Sequence, residues 1–231
     1  MKKRLLIIPA RKGSQRIKNK NIKKFKKKPI IGYPINAAKK SKLFKKIIVS
    51  TNSKKIKLIV NKLGAEVINL RPVKLSKNTT PVFDVIKHEY LNIKKELGKF
   101  DEIWCILPCT PLLTFKDLMR VSKEIDKKKK LPLISIAKYP APIEWSYKMK
   151  KKNKLIPLNK RKNLKSSKSF KDKFYDAGAF YVFDEKTLLN TKTINLYSEF
   201  YGHLMPYEKV VDIDGMEDWK TAIKLKNLDS N

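Results

Sequence analysis

Short apolar runs alternate along the chain with longer segments in which apolar residues recur every three or four positions. The apolar runs predict strands at 5–8, 47–50, 66–70, 103–107, 133–137, 179–183 and 210–213. The intervening segments predict helices at 30–41, 54–63, 81–97, 116–127 and 216–226, and Gly64 and Gly98 mark two helix ends. This alternation is typical of an α/β fold with a mostly parallel sheet and helices on both faces.

The alternation stops between residues 138 and 173. This segment is rich in Lys, spaced by Pro, and carries Trp145 and Tyr147 near its start. A stretch of this length without core periodicity is usually functional or serves as an interaction arm. Since no repeat and no Pro/Gly/Ser-rich linker divides the chain, we predict a single domain over 1–231, with 138–173 (the arm) inserted in it.

Composition adds a large positive charge to this picture. The formal net charge is +34, which would attract nucleic acid, but 49 Lys stand against 6 Arg and are scattered over nearly all polar positions. Binders of nucleic acid rely more on Arg, whose guanidinium makes bidentate contacts. We interpret the charge as compositional and expect no specific nucleic-acid partner. A basic nucleic-acid-associated protein remains the alternative from a different class.

Several classes of protein are disfavoured by the sequence. No apolar run approaches the roughly 20 residues that cross a bilayer, and the apolar run at 5–8 is too short for a signal peptide, so we expect no membrane association and a cytoplasmic location. Cys105, Cys109, His88 and His203 do not have metal-ligand spacing. A structural disulfide or zinc site is therefore not expected.

The loop after the first predicted strand carries the strongest chemical signal. In open α/β sheets, ligands bind beyond the carboxyl ends of the strands. Here Gly13 allows close approach of the backbone and Ser14 supplies a hydroxyl, and the cations that could hold a triphosphate are Arg11, Lys12, Arg16 and Lys20. The spacing fits neither G-x-x-x-x-G-K-[S/T] nor G-x-G-x-x-G. We call residues 10–21 the first loop.

The order of motifs resembles the nonulosonate cytidylyltransferases, which make CMP-sialic, CMP-legionaminic and CMP-pseudaminic acids. The first loop follows the family opening I-P-A-R-x-G-S-K-R-I-x-x-K-N. The resemblance continues to the end of the chain through V-S-T (49–51), G-A-E-V (64–67), R-P (71–72), L-S-x-x-x-T-P (75–81), P-x-x-P (108–111), D-A-G-A-F-Y (176–181) and D-I-D-x-x-E-D-W (212–219).

This resemblance implies a Rossmann-like nucleotidyltransferase fold, a homodimer with 138–173 as its dimerisation arm, and Mg²⁺-dependent attack of a sugar hydroxyl on CTP. It implies that Arg11 and Lys20 contact phosphates and that Asn21 and Arg71 seat the cytidine. The wider nucleotide site is taken as Ala10, Arg11, Gly13, Ser14, Arg16, Lys20, Asn21, Arg71 and Thr80. Asp212 and Asp214 would hold the metal, and two positions of separation would place both carboxylates on one side of an extended strand.

Departures from the family pattern fall in the first loop and near the expected sugar site. Gln15 replaces a lysine, Lys18 replaces a proline, and Tyr175 stands where the pseudaminate group often has histidine. Pseudaminate is our first choice of sugar, with sialate and legionaminate as alternatives. The residues expected to bind the sugar are Lys165, Lys168, Tyr175 and Asp176, the two lysines through the sugar's carboxylate. Because of Gln15, a catalytically weakened dimerising homologue is a third hypothesis.

Overall fold

The computed structural model describes residues 2–190 and 200–228. Its strands are β1 (Arg4–Pro9), β2 (Lys24–Phe25), β3 (Lys28–Pro29), β4 (Lys46–Ser50), β5 (Glu102–Ile106), β6 (Leu133–Lys138), β7 (Tyr147–Met149), β8 (Leu155–Pro157), β9 (Phe174–Phe183) and β10 (Tyr201–Leu204). Its α-helices are α1 (Gly32–Ser41), α2 (Lys54–Lys62), α3 (Val82–Leu97), α4 (Phe115–Lys128), α5 (Lys160–Asn163), α6 (Glu185–Asn190) and α7 (Met216–Leu228). Short 3-10 turns lie at Lys20–Ile22, Val73–Leu75, Ile143–Trp145, Lys151–Asn153, Ser167–Ser169 and Tyr207–Lys209.

Six of the strands form one central sheet in the order β10-β6-β9-β5-β1-β4. β1 is parallel to both β4 and β5, and β10 is parallel to β6. β9 alone runs against its neighbours, β5 and β6, in the described part of the sheet. The predicted mixed α/β architecture with a mostly parallel sheet is therefore confirmed.

The apolar run of β1 is continuous because both faces of this strand are covered. Leu6 and Ile8 belong to one core cluster, which also contains Ile35 of α1 and Val121 of α4. Leu5 and Ile7 point the other way into a second cluster, where they meet Phe83 of α3. Alternate side chains of one strand thus feed two cores, and helices lie on both faces of the sheet.

Two predicted strands are wrong. Of residues 66–70, Glu66 alone pairs with the sheet, through a parallel bridge to Ile48, and the chain then leaves the ladder. Residues 210–213 belong to no strand, although Ile213 is buried. Both segments contain buried apolar residues, but those residues pack beside the sheet instead of continuing it. The apolar pattern reports burial there and not hydrogen bonding.

The arm has a small sheet of its own. β7 and β8 form an antiparallel hairpin that is separate from the central sheet, and α5 follows it. Its apolar side chains are largely uncovered in the single chain: Met149, Leu155 and Leu158 are exposed, and Leu164 is 90% exposed. The chain rejoins the central sheet at Phe174, five residues before the strand start that the sequence predicted.

Among the described residues, no helix has the length and apolar character needed to cross a membrane. The feature that positions the functional residues is instead the edge of the sheet where the parallel strands β1, β4 and β5 end. The segments that follow these three strands all begin at this edge.

Candidate active site

The first loop has a defined backbone conformation. Gly13 has a φ of 96°, a left-handed value that glycine adopts without strain. The backbone N–H of Ala10 donates to the carbonyl of Ser50 at 2.8 Å, and the N–H of Lys12 donates to Oδ1 of Asn52 at 2.7 Å. These two bonds fix the start of the first loop against the segment that follows β4.

A cavity of about 290 Å³, which we call the main cavity, lies between the first loop, the 71–85 segment and the end of β5. The predicted nucleotide-site residues that line it are Arg11, Ser14, Arg16, Lys20, Asn21, Arg71 and Thr80. Gln15 and Asp214 also line it. Ala10 is fully buried behind the loop, and Gly13 lines a neighbouring cavity with Lys12. The structure thus brings seven of the nine predicted nucleotide-site residues to one cavity, together with Asp214 of the two predicted metal ligands but not Asp212.

Asp214 connects the first loop to the segment before α7. Its Oδ2 lies 2.9 Å from Nη2 of Arg16, and its Oδ1 lies 3.4 Å from Nζ of Lys20, which also donates to the carbonyl of Ile213 at 2.5 Å. A shared core cluster explains this placement, since Ile17 of the loop and Ile213 pack together under Trp219. Two loop cations are therefore held beside one carboxylate.

Asp212 lies two residues before Asp214, and it is exposed. Local desolvation raises the pKa of Asp212, and the negative charge of Asp214 raises it further, while Lys20 and Arg16 act against both. The carboxylates of Asp214, which lines the cavity beside Arg16 and Lys20, and of Asp212, two residues earlier, offer oxygen donors of the kind that Mg²⁺ takes together with substrate phosphates. The described residues contain no group of three or more metal-ligating side chains, so phosphate oxygens would have to complete the coordination.

Asn21 is held by two hydrogen bonds at the base of the cavity. Its Nδ2 donates to the carbonyl of Arg11 at 3.0 Å, and Sγ of Cys109 donates to its Oδ1 at 3.4 Å. Burial raises the pKa of Cys109 to about 12, so the thiol keeps its proton at neutral pH and remains a donor. The sequence did not suggest a role for Cys109. The signal was its place directly after a buried strand, at the edge where ligands bind.

Arg71 is almost fully buried in the cavity wall. Its Nη2 donates to the carbonyl of Ser50 at 2.7 Å, and its Nη1 donates to the carbonyl of Leu75 at 3.3 Å. Burial lowers the pKa of Arg71 to about 10, which leaves the guanidinium charged at neutral pH. Arg71 therefore presents a fixed positive group at the cavity and ties the 71–75 segment to the end of β4.

The residues expected to bind a sugar are spread more widely. Asp176 on β9 accepts hydrogen bonds from the N–H of Gly178 at 2.8 Å and from the hydroxyl of Tyr181 at 2.5 Å. The Tyr175 ring packs on that of Tyr139, with 4.9 Å between centroids. Lys165 and Lys168 lie on the exposed arm, where Lys168 lines a separate cavity of about 360 Å³. The single chain does not bring these lysines to the main cavity.

Comparison with known proteins settles the family. A family model described as cytidylyltransferase matches residues 5–230. The chain belongs to the cytidylyltransferase family. The pseudaminic acid cytidylyltransferase of Campylobacter jejuni is 29% identical to it over 223 residues, or 95% of this chain and 94% of that protein. The CMP-N,N'-diacetyllegionaminic acid synthase of Legionella pneumophila is 26% identical over 226 residues, or 97% of this chain and 96% of that protein.

Solved structures agree with this assignment at the level of the fold. The structure of CMP:2-keto-3-deoxy-manno-octonic acid synthetase complexed with CTP superposes with a TM-score of 0.68 at 15% identity, covering 98% of this chain and 99% of that one. The Rossmann-like fold predicted from the sequence is thus confirmed for this cytidylyltransferase. Its cavity combines fixed cations and a tight loop, which are groups that bind phosphates and stabilise the charge of a transferring phosphoryl centre, with the carboxylate of Asp214 in the same lining.

Proposed function

We propose that this cytidylyltransferase transfers CMP from CTP to the anomeric hydroxyl of a nine-carbon acidic sugar, with pseudaminic acid as the first choice. The observation that carries the proposal is the convergence of Arg11, Arg16, Lys20 and Arg71 on one cavity at the carboxyl ends of the parallel strands. The similarity to a pseudaminic acid cytidylyltransferase over nearly the whole chain favours that sugar.

In this proposal CTP occupies the main cavity with its phosphates on the first loop. Arg11 and Lys20 contact the phosphates, while Asn21 and Arg71 seat the cytidine. Arg16 and Lys20, which pair with Asp214 in the free protein, turn toward the phosphates when CTP enters, because a triphosphate offers more negative charge than one carboxylate. The exchange frees the oxygens of Asp214.

The reaction joins the anomeric oxygen of the sugar to the α-phosphorus of CTP. The bond from that phosphorus to the β-phosphate oxygen breaks, pyrophosphate leaves, and the hydroxyl proton passes to solvent. Asp212 and Asp214 would hold Mg²⁺, which supplies positive charge that offsets the charge growing on the phosphates. The chain's own residues then act chiefly by alignment and by fixed positive charge.

We further propose that the protein works as a homodimer through its arm. The exposed apolar side chains Met149, Leu158 and Leu164 form a surface that a second copy would cover. Lys165 and Lys168 lie on the same arm and away from the main cavity of their own chain. In a dimer the arm would carry these lysines toward a partner, where they would bind the sugar's carboxylate.

A panel of acidic sugars tests the proposal. Purified protein is incubated with CTP, Mg²⁺ and pseudaminate, legionaminate, sialate or Kdo, and released pyrophosphate is measured. We expect release that requires both a sugar and Mg²⁺ and that is fastest with pseudaminate. Fastest release with sialate or legionaminate would correct the sugar and keep the reaction. No release with any sugar would favour the weakened homologue.

A further inference from the structure

Glu89 is a buried carboxylate next to the main cavity, and the proposed reaction gives it no role. It lies on α3 and is only 2% exposed. Val82 and Val85, which line the cavity, precede it by seven and four positions, so all three lie on one face of the helix. Glu89 is therefore placed one turn deeper than the cavity wall.

Arg71 is the cation that this carboxylate acts on. The guanidinium is 6% exposed, and its Nε has no hydrogen-bond partner within residues 2–190 and 200–228. The charge of Glu89 attracts the guanidinium, whereas the charge of Arg11, which lines the cavity, repels it. A charged group this deeply buried is costly unless an opposite charge compensates it.

We infer that Glu89 is a positioning residue that holds Arg71 in the cavity wall and thereby prepares the site for its nucleotide. Through the bond from Arg71 to the carbonyl of Leu75, the same carboxylate also steadies the 71–80 segment, whose Thr80 lines the cavity. The inference rests on the proposed function, because it takes CTP as the ligand of Arg71.

Two effects on CTP binding oppose each other when the carboxylate of Glu89 is neutralised. Removing a negative charge near an anion site strengthens the attraction for phosphates, but that attraction acts across an open cavity where water screens it. Loss of the buried partner acts without that screening: Arg71 then faces Arg11 uncompensated and swings toward water, which breaks its bonds to Ser50 and Leu75. We therefore expect weaker CTP binding.

The test measures CTP affinity by calorimetry with Mg²⁺ and without sugar. We expect Glu89→Gln to weaken CTP binding about tenfold, because the buried charge of Arg71 loses the carboxylate that attracts it. Glu89→Asp, which keeps the charge, should recover most of this affinity. Glu96→Gln removes the same charge from an exposed position of α3 and should change affinity less than about twofold. CTP binding by Glu89→Gln that equals or exceeds that of the unaltered protein would overturn the inference.

A double-mutant cycle separates positioning from a general effect on the fold. In an Arg71→Ala background, Glu89→Gln should change CTP affinity less than about twofold, since the partner it acts through is gone. An undiminished effect there would overturn the inference.

If the unaltered protein itself does not bind CTP, the proposed function fails instead. If Glu89→Gln does not fold, thermal unfolding decides: the double variant, which buries no unpaired charge, must be more stable than Glu89→Gln alone.

Discussion

At the scale of single residues, Asp214 is where the first loop meets the segment before α7. Its two oxygens pair with Arg16 and Lys20, so both cations lie beside a carboxylate in the free protein. Asp212, two residues earlier in the chain, has a raised pKa. This arrangement keeps the cavity organised before a nucleotide arrives and leaves an oxygen donor pair when the cations turn away.

Removing either carboxylate should stop turnover. We expect Asp214→Ala to lower kcat at least about 10³-fold and Asp212→Ala nearly as much, because the proposed metal loses a ligand. Glu217→Gln, which alters an exposed acidic residue at the start of α7, is the control and should stay near the original rate. A double variant without both carboxylates that kept its rate at ordinary Mg²⁺ concentrations would refute the metal assignment.

Substitutions of Gln15 and Arg16 test whether cations of the first loop bind the phosphates of CTP. Gln15→Lys adds a cation at the cavity, and since Arg16 and Lys20 already line it, the gain in turnover should be less than about tenfold. Arg16→Ala should lower turnover or CTP affinity clearly more than Arg120→Ala, which changes an exposed arginine of α4. Steady-state kinetics decides. An Arg16→Ala enzyme with unchanged turnover and CTP affinity would show that this account of the loop is wrong.

The two thiols give a prediction about pH. Because burial raises the pKa of Cys109 to about 12, folding favours the protonated thiol. The stability that this burial contributes is present at neutral pH, below the unfolded pKa, and is lost as the pH rises toward 12. At pH 8, a thiol reagent should therefore react slowly with the native protein and rapidly with both cysteines after denaturation. Rapid reaction of the native protein would contradict the burial of Cys105 and the raised pKa of the half-buried Cys109.

At the scale of elements, the arm carries the prediction of assembly. Deleting residues 147–170 removes both strands of the β7–β8 hairpin and the exposed Leu158 and Leu164. We expect light scattering to give twice the chain mass for the full protein and the monomer mass for the deletion. An unchanged dimer mass after the deletion would contradict the arm's role.

A point variant serves as a gentler test of the same surface. Leu164→Ser should shift the protein toward monomer, whereas Leu58→Ser, which alters an exposed leucine of α2, should not. Equal effects of the two substitutions would mean that the arm surface does not hold the dimer together.

Elements with strong periodicity were predictable, and those defined by pairing alone were not. β1 and β5 are buried on both faces, and buried residues alternate with more exposed ones along β6. The apolar pattern of the sequence therefore predicted all three strands. β10 has the sequence Tyr-Gly-His-Leu at the edge of the sheet and carries little apolar signal. The segment 66–70 shows the opposite case, since its apolar residues are packed without forming a ladder.

Much of the site was predictable because its residues adjoin one another in the sequence. The first loop brings Arg11 to Asn21 together through local chain geometry alone. Glu89 and Cys109 could not be found in this way, because their places depend on how α3 and the end of β5 pack against the loop. In the sequence, a buried carboxylate on a helix cannot be distinguished from an exposed one, because its neighbours in space are not known.

At the scale of the whole molecule, the net charge of +34 should raise the rate at which the protein meets anions more than it raises the specificity of binding. Lysines scattered over the surface attract polyanions weakly, whereas the site binds through a few fixed cations. We expect binding to DNA to fall steeply with salt and to be negligible near physiological ionic strength. CTP-dependent turnover should persist there. Tight DNA binding at that ionic strength would favour the nucleic-acid alternative.

The most direct measurement of the central claim is phosphorus NMR of a reaction that contains the protein, CTP, Mg²⁺ and pseudaminic acid. The account predicts that the triphosphate signals disappear while a phosphodiester signal and a pyrophosphate signal grow in equal amounts. Omitting the sugar should leave CTP intact. CTP breakdown that yields CMP with no phosphodiester, or that proceeds equally without sugar, would contradict the account.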